Sequence, residues 1–264
     1  MKLATKAVEK VWGRRDLPPP FTGEAGEEPI GEIWFEPPEE LSQVLVKYLF
    51  TSEKLSVQVH PTDAEAPADS RGKEECWLVL TADPGASLAI GFRQDISPEA
   101  MRAAALDGSI EQALEWHPAK AGDFFYLPAG TVHAIGPGLS LVEVQQNSDI
   151  TYRLFDYGRP RELHLDEGIA VARGTTYSED CRKSVSPDTS ATLVEGPFFR
   201  FSHCRGTPSD ALRARHSGAV MVLPLEGSVK AGGEPIAAGE CGLGRSLSDI
   251  DFAAAERTLL VSAA

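Results

Sequence analysis

The chain of 264 residues contains no apolar run longer than a β-strand, so it lacks the roughly twenty consecutive apolar residues that a membrane helix requires. Its opening stretch, MKLATKAVEKVWGRRD, is positively charged but has no continuous apolar segment, and a secretory signal is not expected. Cysteine is scarce. Cys76, Cys181, Cys204 and Cys241 are scattered with no C-x-x-C pair, which predicts reduced thiols in a cytoplasmic protein. Positive charge is also in deficit: 25 Lys and Arg stand against 39 Asp and Glu, and the resulting net charge of −14 argues against a nucleic-acid partner. It does not exclude an anionic metabolite, because a few Lys and Arg can still converge locally. No repeat is visible at the level of residue identity.

What is present is ordinary globular material. Hydrophobic residues make up 42% and charged residues 24%, enough for a sizeable core, and the length allows one large or two small units. Residues 1–40 are rich in Pro, Gly and Glu, with apolar islands at Val8–Trp12 and Ile30–Phe35 that read as short strands joined by loops. SQVLVKYLF is a strand-length apolar run interrupted by Lys47. LSVQVHP alternates, with Leu55, Val57 and Val59 on one face and Ser56, Gln58 and His60 on the other. TDAEAPADSRG is a loop, and KEECWLVLTA resumes an extended pattern with Lys73, Glu75 and Trp77 sharing a face.

ISPEAMRAAALDG predicts a helix capped by Ser97, opened by Pro98 and closed by Gly108. SIEQALEW predicts a second one, with a capping box at Ser109 and Gln112. Strands follow in GDFFYLPAGTVHAIG, LSLVEVQQNS and TYRLFDYG. A polar stretch from about Arg161 to Asp188 marks a boundary, and beyond it come short strands with Gly-rich turns. The fold class expected is mainly all-β.

Gln58, His60, Glu75 and His133 can each offer a lone pair to one divalent cation, which makes a candidate metal site of the catalytic type. Imidazole favours zinc, and the oxygen ligands also tolerate iron or manganese. His117, His164, His203 and His216 lack ligand spacing and read as surface or packing residues. Cys76 should face away from Glu75, as a core thiol.

The segment around His133 carries more information. Gly122, Pro128, Gly130 and His133 fall in the spacing G-x5-P-x-G-x2-H, which resembles the second motif of the cupin superfamily. LSVQVHP, GKEECW, YLPAGTVHAIG and NSDITYRLFDYGR together resemble the type I mannose-6-phosphate isomerases in their short bacterial form. Trp12-Gly13, the GEIW at Gly31–Trp34 and the VKYLF around Lys47 extend the likeness over roughly the first 160 residues.

The resemblance implies two cupin-type, jelly-roll β-barrels. Residues 1–175 would form a metal-binding catalytic barrel with a helical insertion at about 97–116, and residues 188–264 a smaller barrel without metal. It implies one Zn2+ on Gln58, His60, Glu75 and His133, with Lys73, Asp149 and Arg153 in the active site. The reaction would interconvert mannose 6-phosphate and fructose 6-phosphate through a cis-enediolate, so the partner is a small-molecule sugar phosphate. No nucleic-acid or membrane partner is implied.

Arg159, Arg161, Lys47 and Lys54 are available for the phosphate. Longer members of the family carry a His just before the lysine, where this chain has Gly72, and often a Pro where it has Glu74. A role of that His in ring opening does not carry over. Two other classes stay open: a sugar-binding cupin without catalysis, and an iron cupin oxygenase.

Overall fold

The apolar runs become strands, and the sheets they build are mostly antiparallel layers. The structure, a computed structural model, describes residues 1–21 and 28–264. Part of the loop expected between the two N-terminal islands, at 22–27, lies outside the described residues. The islands form β1 (Thr5–Arg14) and β2 (Ile30–Phe35), followed by β3 (Val44–Phe50), β4 (Val57–Val59), β5 (Glu75–Ala82) and β6 (Ser87–Phe92). Helices α1 (Pro98–Asp107) and α2 (Ile110–Ala113) then precede β7 (Leu114–Pro118), β8 (Asp123–Leu127), β9 (His133–Ile135), β10 (Leu139–Gln146) and β11 (Tyr152–Phe155).

The remaining elements are α3 (Leu165–Val171), β12 (Arg182–Ser184), β13 (Ala191–Glu195), β14 (Phe199–Arg205), α4 (Asp210–Arg215), β15 (Val220–Ala231), β16 (Glu234–Ala237), β17 (Gly242–Gly244), β18 (Ile250–Asp251) and β19 (Ala255–Ala263).

Three sheets result. A seven-stranded sheet runs β1-β2-β3-β10-β5-β8-β12, a five-stranded one β11-β4-β9-β6-β7, and a C-terminal one β13-β14-β19-β15-β16 with β17 and β18 attached to β15. The seven-stranded sheet is covered on both faces. Trp77, Val79, Phe125, Leu139 and Leu141 pack against Leu88, Ile90 and Ile135 of the five-stranded sheet. On the opposite face Tyr48, Phe50, Leu78, Phe124 and Val142 meet Phe199, Phe201, Met221, Leu223 and Val261 of the C-terminal sheet.

This double cover explains why β3 and β10 are buried at every position instead of alternating with solvent. Burying each large apolar side chain contributes about 1.5–3 kcal/mol. The contact with the C-terminal sheet is therefore a continuous core. Among the described residues no sheet closes on itself, so the layers are open sheets.

Helix α1 forms where Ser97, Pro98 and Gly108 predict it: Ser97 Oγ accepts from Ala100 N, and Gly108 takes the left-handed conformation at φ 83°. The second helix differs from expectation. It stops at Ala113, and Ser109, itself helical, makes no side-chain cap, so the capping box does not form. Tertiary pairing wins there: Leu114, Trp116 and His117 align with Phe92, Ala89 and Leu88 of β6. Helices α1, α2 and α3 cover the outer face of the five-stranded sheet, on Val57, Val59, Ala89 and Ala134.

Leu55 also departs from its expected face. It packs with Trp12 and Trp77 on the inner side, because the regular strand begins only at Val57. The polar stretch 161–188 carries α3 and β12, the latter paired with β8.

Candidate metal centre and active site

The site lies between the five- and seven-stranded sheets. β4 carries Gln58 directly opposite His133 of β9, and His60 and Pro61 follow the strand end at Val59. The turn before β9 is shaped by Gly130, at φ +87°, whose N–H donates to His60 O at 2.8 Å. A Cβ there would come within 3.0 Å of Val171 O, which is why the motif needs glycine. From the facing sheet, β5 begins at Glu75, with Lys73 just before it and Trp77 two residues on.

His60, Glu75 and His133 converge, with one potential ligand atom of each lying within 4.8 Å of the others. Both imidazoles are fixed from behind. His60 Nδ1 lies 2.8 Å from Ile150 O and His133 Nδ1 2.9 Å from Thr131 O. A carbonyl can only accept, so each Nδ1 carries the proton and each Nε2 keeps its lone pair. Both Nε2 atoms lie 3.5 Å from a Glu75 oxygen.

Burial, followed by the nearby Lys73 and His133, holds His60 well below the ordinary imidazole value. Burial likewise brings His133 to about 4, against a bond to Thr131 that works the other way. Two neutral imidazoles and a carboxylate, all buried, make a donor set that fits a divalent cation. Glu75 Oε2 accepts no hydrogen bond, although Lys73 Nζ is 3.1 Å away, so it has a lone pair to give.

Gln58 sits beside this group with Nε2 3.3 Å from His133 Nε2, while Ser56 Oγ donates to Oε1 at 3.1 Å. A half-turn of the terminal amide exchanges the two atoms, and Ser56 can then accept where it donated. The carbonyl oxygen would thereby face the cluster.

A cavity of about 380 Å³ opens in front of these residues. It is lined by Lys73, Asp149 and Arg153, together with Gln58, Trp12 and Trp34. Asp149 and Arg153 share this wall, yet among the described residues no ion pair joins them; Arg153 Nη1 instead donates to Glu162 O at 2.6 Å. Burial, then the neighbouring Arg161, lowers the Arg153 guanidinium from its usual value. Of the cations available for phosphate, Lys47 and Arg161 line the cavity. Lys54 is engaged with Glu111, and both Arg159 and Arg161 with Asp156.

The floor of the cavity joins residues of separate motifs, Glu32, Trp34, Lys47 and Trp77, with Glu143, which lies outside all of them. Lys47 Nζ bridges Glu143 Oε1 at 2.9 Å and Glu32 Oε2 at 3.4 Å. Trp77 Nε1 donates to Glu143 Oε2 at 3.0 Å, and Trp34 Nε1 to Glu32. Register makes this convergence: Trp34 pairs with Lys47, Lys47 with Glu143 and Glu143 with Trp77, one inward rung across four strands. Burial and the adjacent Glu75 raise the Glu143 carboxyl above its ordinary range, against the pull of Lys47. The signal available in the sequence was parity. A charged residue inside a run buried on both faces, such as Lys47 or Glu143, must find a partner on the neighbouring strand.

Of the four remaining histidines, His117 lies against Ile90 O, His203 against Thr189 O, and His216 bridges Ser262 and Ser202, while half-buried His164 accepts from Arg153 N at 3.3 Å through Nδ1. Cys76 is wholly buried on the face turned away from Glu75, as expected.

With this geometry in place, comparisons with known proteins are informative. No protein-family model matches the chain. It is 40% identical over 166 residues to a mannose-6-phosphate isomerase of Streptococcus mutans, covering 59% of this chain and 52% of that protein. It is 37% identical over 168 residues to the mannose-6-phosphate isomerase ManA of Bacillus subtilis, covering 59% of this chain and 53% of that protein.

The chain thus spans about half the length of the curated relatives it matches. In structure it is similar to the mannose 6-phosphate isomerase of Bacillus subtilis, with TM-score 0.81, 25% identity and 98% of both chains covered. A mannosephosphate isomerase-like protein from Archaeoglobus fulgidus shares the fold, with TM-score 0.73 and 17% identity over 99% of this chain and 96% of that one. The likeness to type I mannose-6-phosphate isomerases expected from the motifs is present in both sequence and fold.

Proposed function

We propose that this chain is a zinc-dependent aldose-ketose isomerase that interconverts mannose 6-phosphate and fructose 6-phosphate. The observation that carries the reading is the His60–Glu75–His133 cluster, opening on a cavity that Lys73, Asp149 and Arg153 also line. The likeness to mannose-6-phosphate isomerases supplies the substrate. His60, Glu75, His133 and the amide oxygen of Gln58 would hold the ion. When bound, it would supply Lewis acidity toward the carbonyl and adjacent hydroxyl of the sugar.

The chain's own residues handle the proton and the charge. Lys73, with Nζ 3.2 Å from His60 Nε2, stands next to the ligands and is the group we assign to proton transfer, with Asp149 as its alternate. The C2 proton of mannose 6-phosphate leaves to this base, and its electron pair forms the C1–C2 double bond of a cis-enediolate. O1 takes up the proton that O2 gives up, and return of the first proton to C1 yields the ketone at C2. Arg153 stays cationic and stabilises the negative charge on the two oxygens. Trp12, Trp34 and Trp77 wall the cavity and exclude water from the enediolate.

We further propose the division suggested by the resemblance, a catalytic cupin unit at 1–175 and a metal-free one at 188–264, in a cytoplasmic enzyme. Zinc-loaded protein should convert mannose 6-phosphate to fructose 6-phosphate, and chelation or His133→Ala should abolish turnover. Protein that demonstrably holds zinc yet turns over neither sugar phosphate would refute the isomerase reading.

A further inference from the structure

The backbone on either side of Lys73 is held by two residues outside the cavity's chemistry. Gly72 N donates to Asp63 Oδ1 at 2.8 Å, and Glu74 N donates to Gln146 Oε1 at 2.9 Å. The two acceptors are themselves tied, since Gln146 Nε2 donates to the same Asp63 oxygen at 3.1 Å. Gln146 N also donates to Glu74 O at 3.0 Å, and Lys73 N to Pro61 O at 3.0 Å. The peptide groups before, at and after Lys73 are therefore all fixed, two of them through one Asp63–Gln146 pair.

Gly72 belongs to the same device. A Cβ on it would lie 2.4 Å from Asp63 N and 2.5 Å from Thr62 C, backbone atoms that cannot step aside. The strand end at Pro61–Asp63 occupies the space a side chain would need. The histidine that longer family members place before the lysine has no room here, and backbone contact replaces it.

We infer that Asp63 and Gln146 are positioning residues that aim Lys73 into the cavity, acting through the Gly72 and Glu74 amides. The inference rests on the isomerase reading of the site. Glu75 does not depend on the pair, because β10 and β8 hold it at Gln145 and Leu127. Loss of the pair should therefore displace the lysine and leave the metal. A displacement of about 1 Å at a reacting group can cost roughly 10²-fold in rate.

The experiment compares Asp63→Ala, Asp63→Asn and Gln146→Ala with the parent in zinc-loaded protein. It measures kcat and KM for mannose 6-phosphate, zinc per chain, and acetylation of Lys73 by acetic anhydride relative to exposed Lys230. Asp63 is exposed, so its variants should fold as the parent does. Asp63→Ala should lower kcat about tenfold and Gln146→Ala about 10²-fold, with KM within about threefold and zinc retained. Lys73 acetylation should rise severalfold in each.

Asp63→Asn keeps the accepting oxygen and should restore both kcat and acetylation to parental values. An Asp63→Ala variant with parental kcat and parental acetylation overturns the inference. So does an Asp63→Asn variant as impaired as Asp63→Ala, or a loss of kcat that follows loss of zinc. If the parent itself shows no turnover, the isomerase reading falls, and the acetylation pattern alone decides whether the pair positions Lys73.

Discussion

Replacing Lys47 by Met tests the electrostatic account of the site floor. The Lys47 ammonium lies between two buried carboxylates, 2.9 Å from Glu143 and 3.4 Å from Glu32, on a side chain 7% exposed. Burial alone would raise the Glu32 carboxyl. Instead Lys47, then Lys10 and the Trp34 hydrogen bond, bring it from 4.5 down to about 2. At ~1.4 kcal/mol per pH unit that fall corresponds to roughly 3 kcal/mol, with Lys47 the largest of the contributors that lower it.

Removing one partner of a buried pair costs about 3–5 kcal/mol, in the same range. For a chain of this size the loss is about 6–12 °C in Tm. The sign follows from the depressed value. Glu32 contributes stability that is present above pH 4.5 and lost as pH falls towards 2. Urea melts of parent and Lys47→Met should therefore differ by about 3 kcal/mol at pH 7, and the gap should narrow between pH 4.5 and pH 2. A variant within about 1 kcal/mol of the parent at pH 7 would refute the ion-pair reasoning.

Arg153→Met should lower kcat/KM by about 10²–10³-fold while metal content stays at the parental level, checked by steady-state kinetics and metal analysis. Parental kcat/KM would remove Arg153 from the mechanism. His216, held at about 4 by burial and then by the adjacent Arg215, bridges Ser262 and Ser202. Its depressed value gives stability that is present above pH 6.5 and lost as pH falls towards 4. His216→Leu, which leaves two buried hydroxyls unpaired, should cost about 1–3 kcal/mol at pH 7. Denaturant melts across pH should show that cost shrinking towards pH 4, and a pH-independent gap would contradict the assignment.

Local pattern carried the parts of the site that lie close together in the chain. A period of two placed Gln58 and His60 on one face, and Lys73, Glu75 and Trp77 on another, because side chains on an extended chain alternate regardless of what they pack against. Ser97, Pro98 and Gly108 specified helix α1 through its own end chemistry. The glycine-proline spacing before His133 marked a turn whose conformation only glycine supplies.

Other features depended on residues distant in sequence. Helix α2 yields to the pairing of Leu114–Pro118 with β6, and Leu55 turns inward because its strand starts later than the alternation suggests. Glu32, Lys47 and Glu143 read as unrelated charges until antiparallel register sets Glu143 opposite Lys47 and Glu32 diagonally across, two residues from Trp34, the partner of Lys47. The Asp63–Gln146 pair joins a loop to a strand end 83 residues away. Periodicity and caps are properties of a few neighbouring residues, so they are written locally. Convergence of charges and anchoring of a loop depend on strand order and register, which exist only once the sheets have formed.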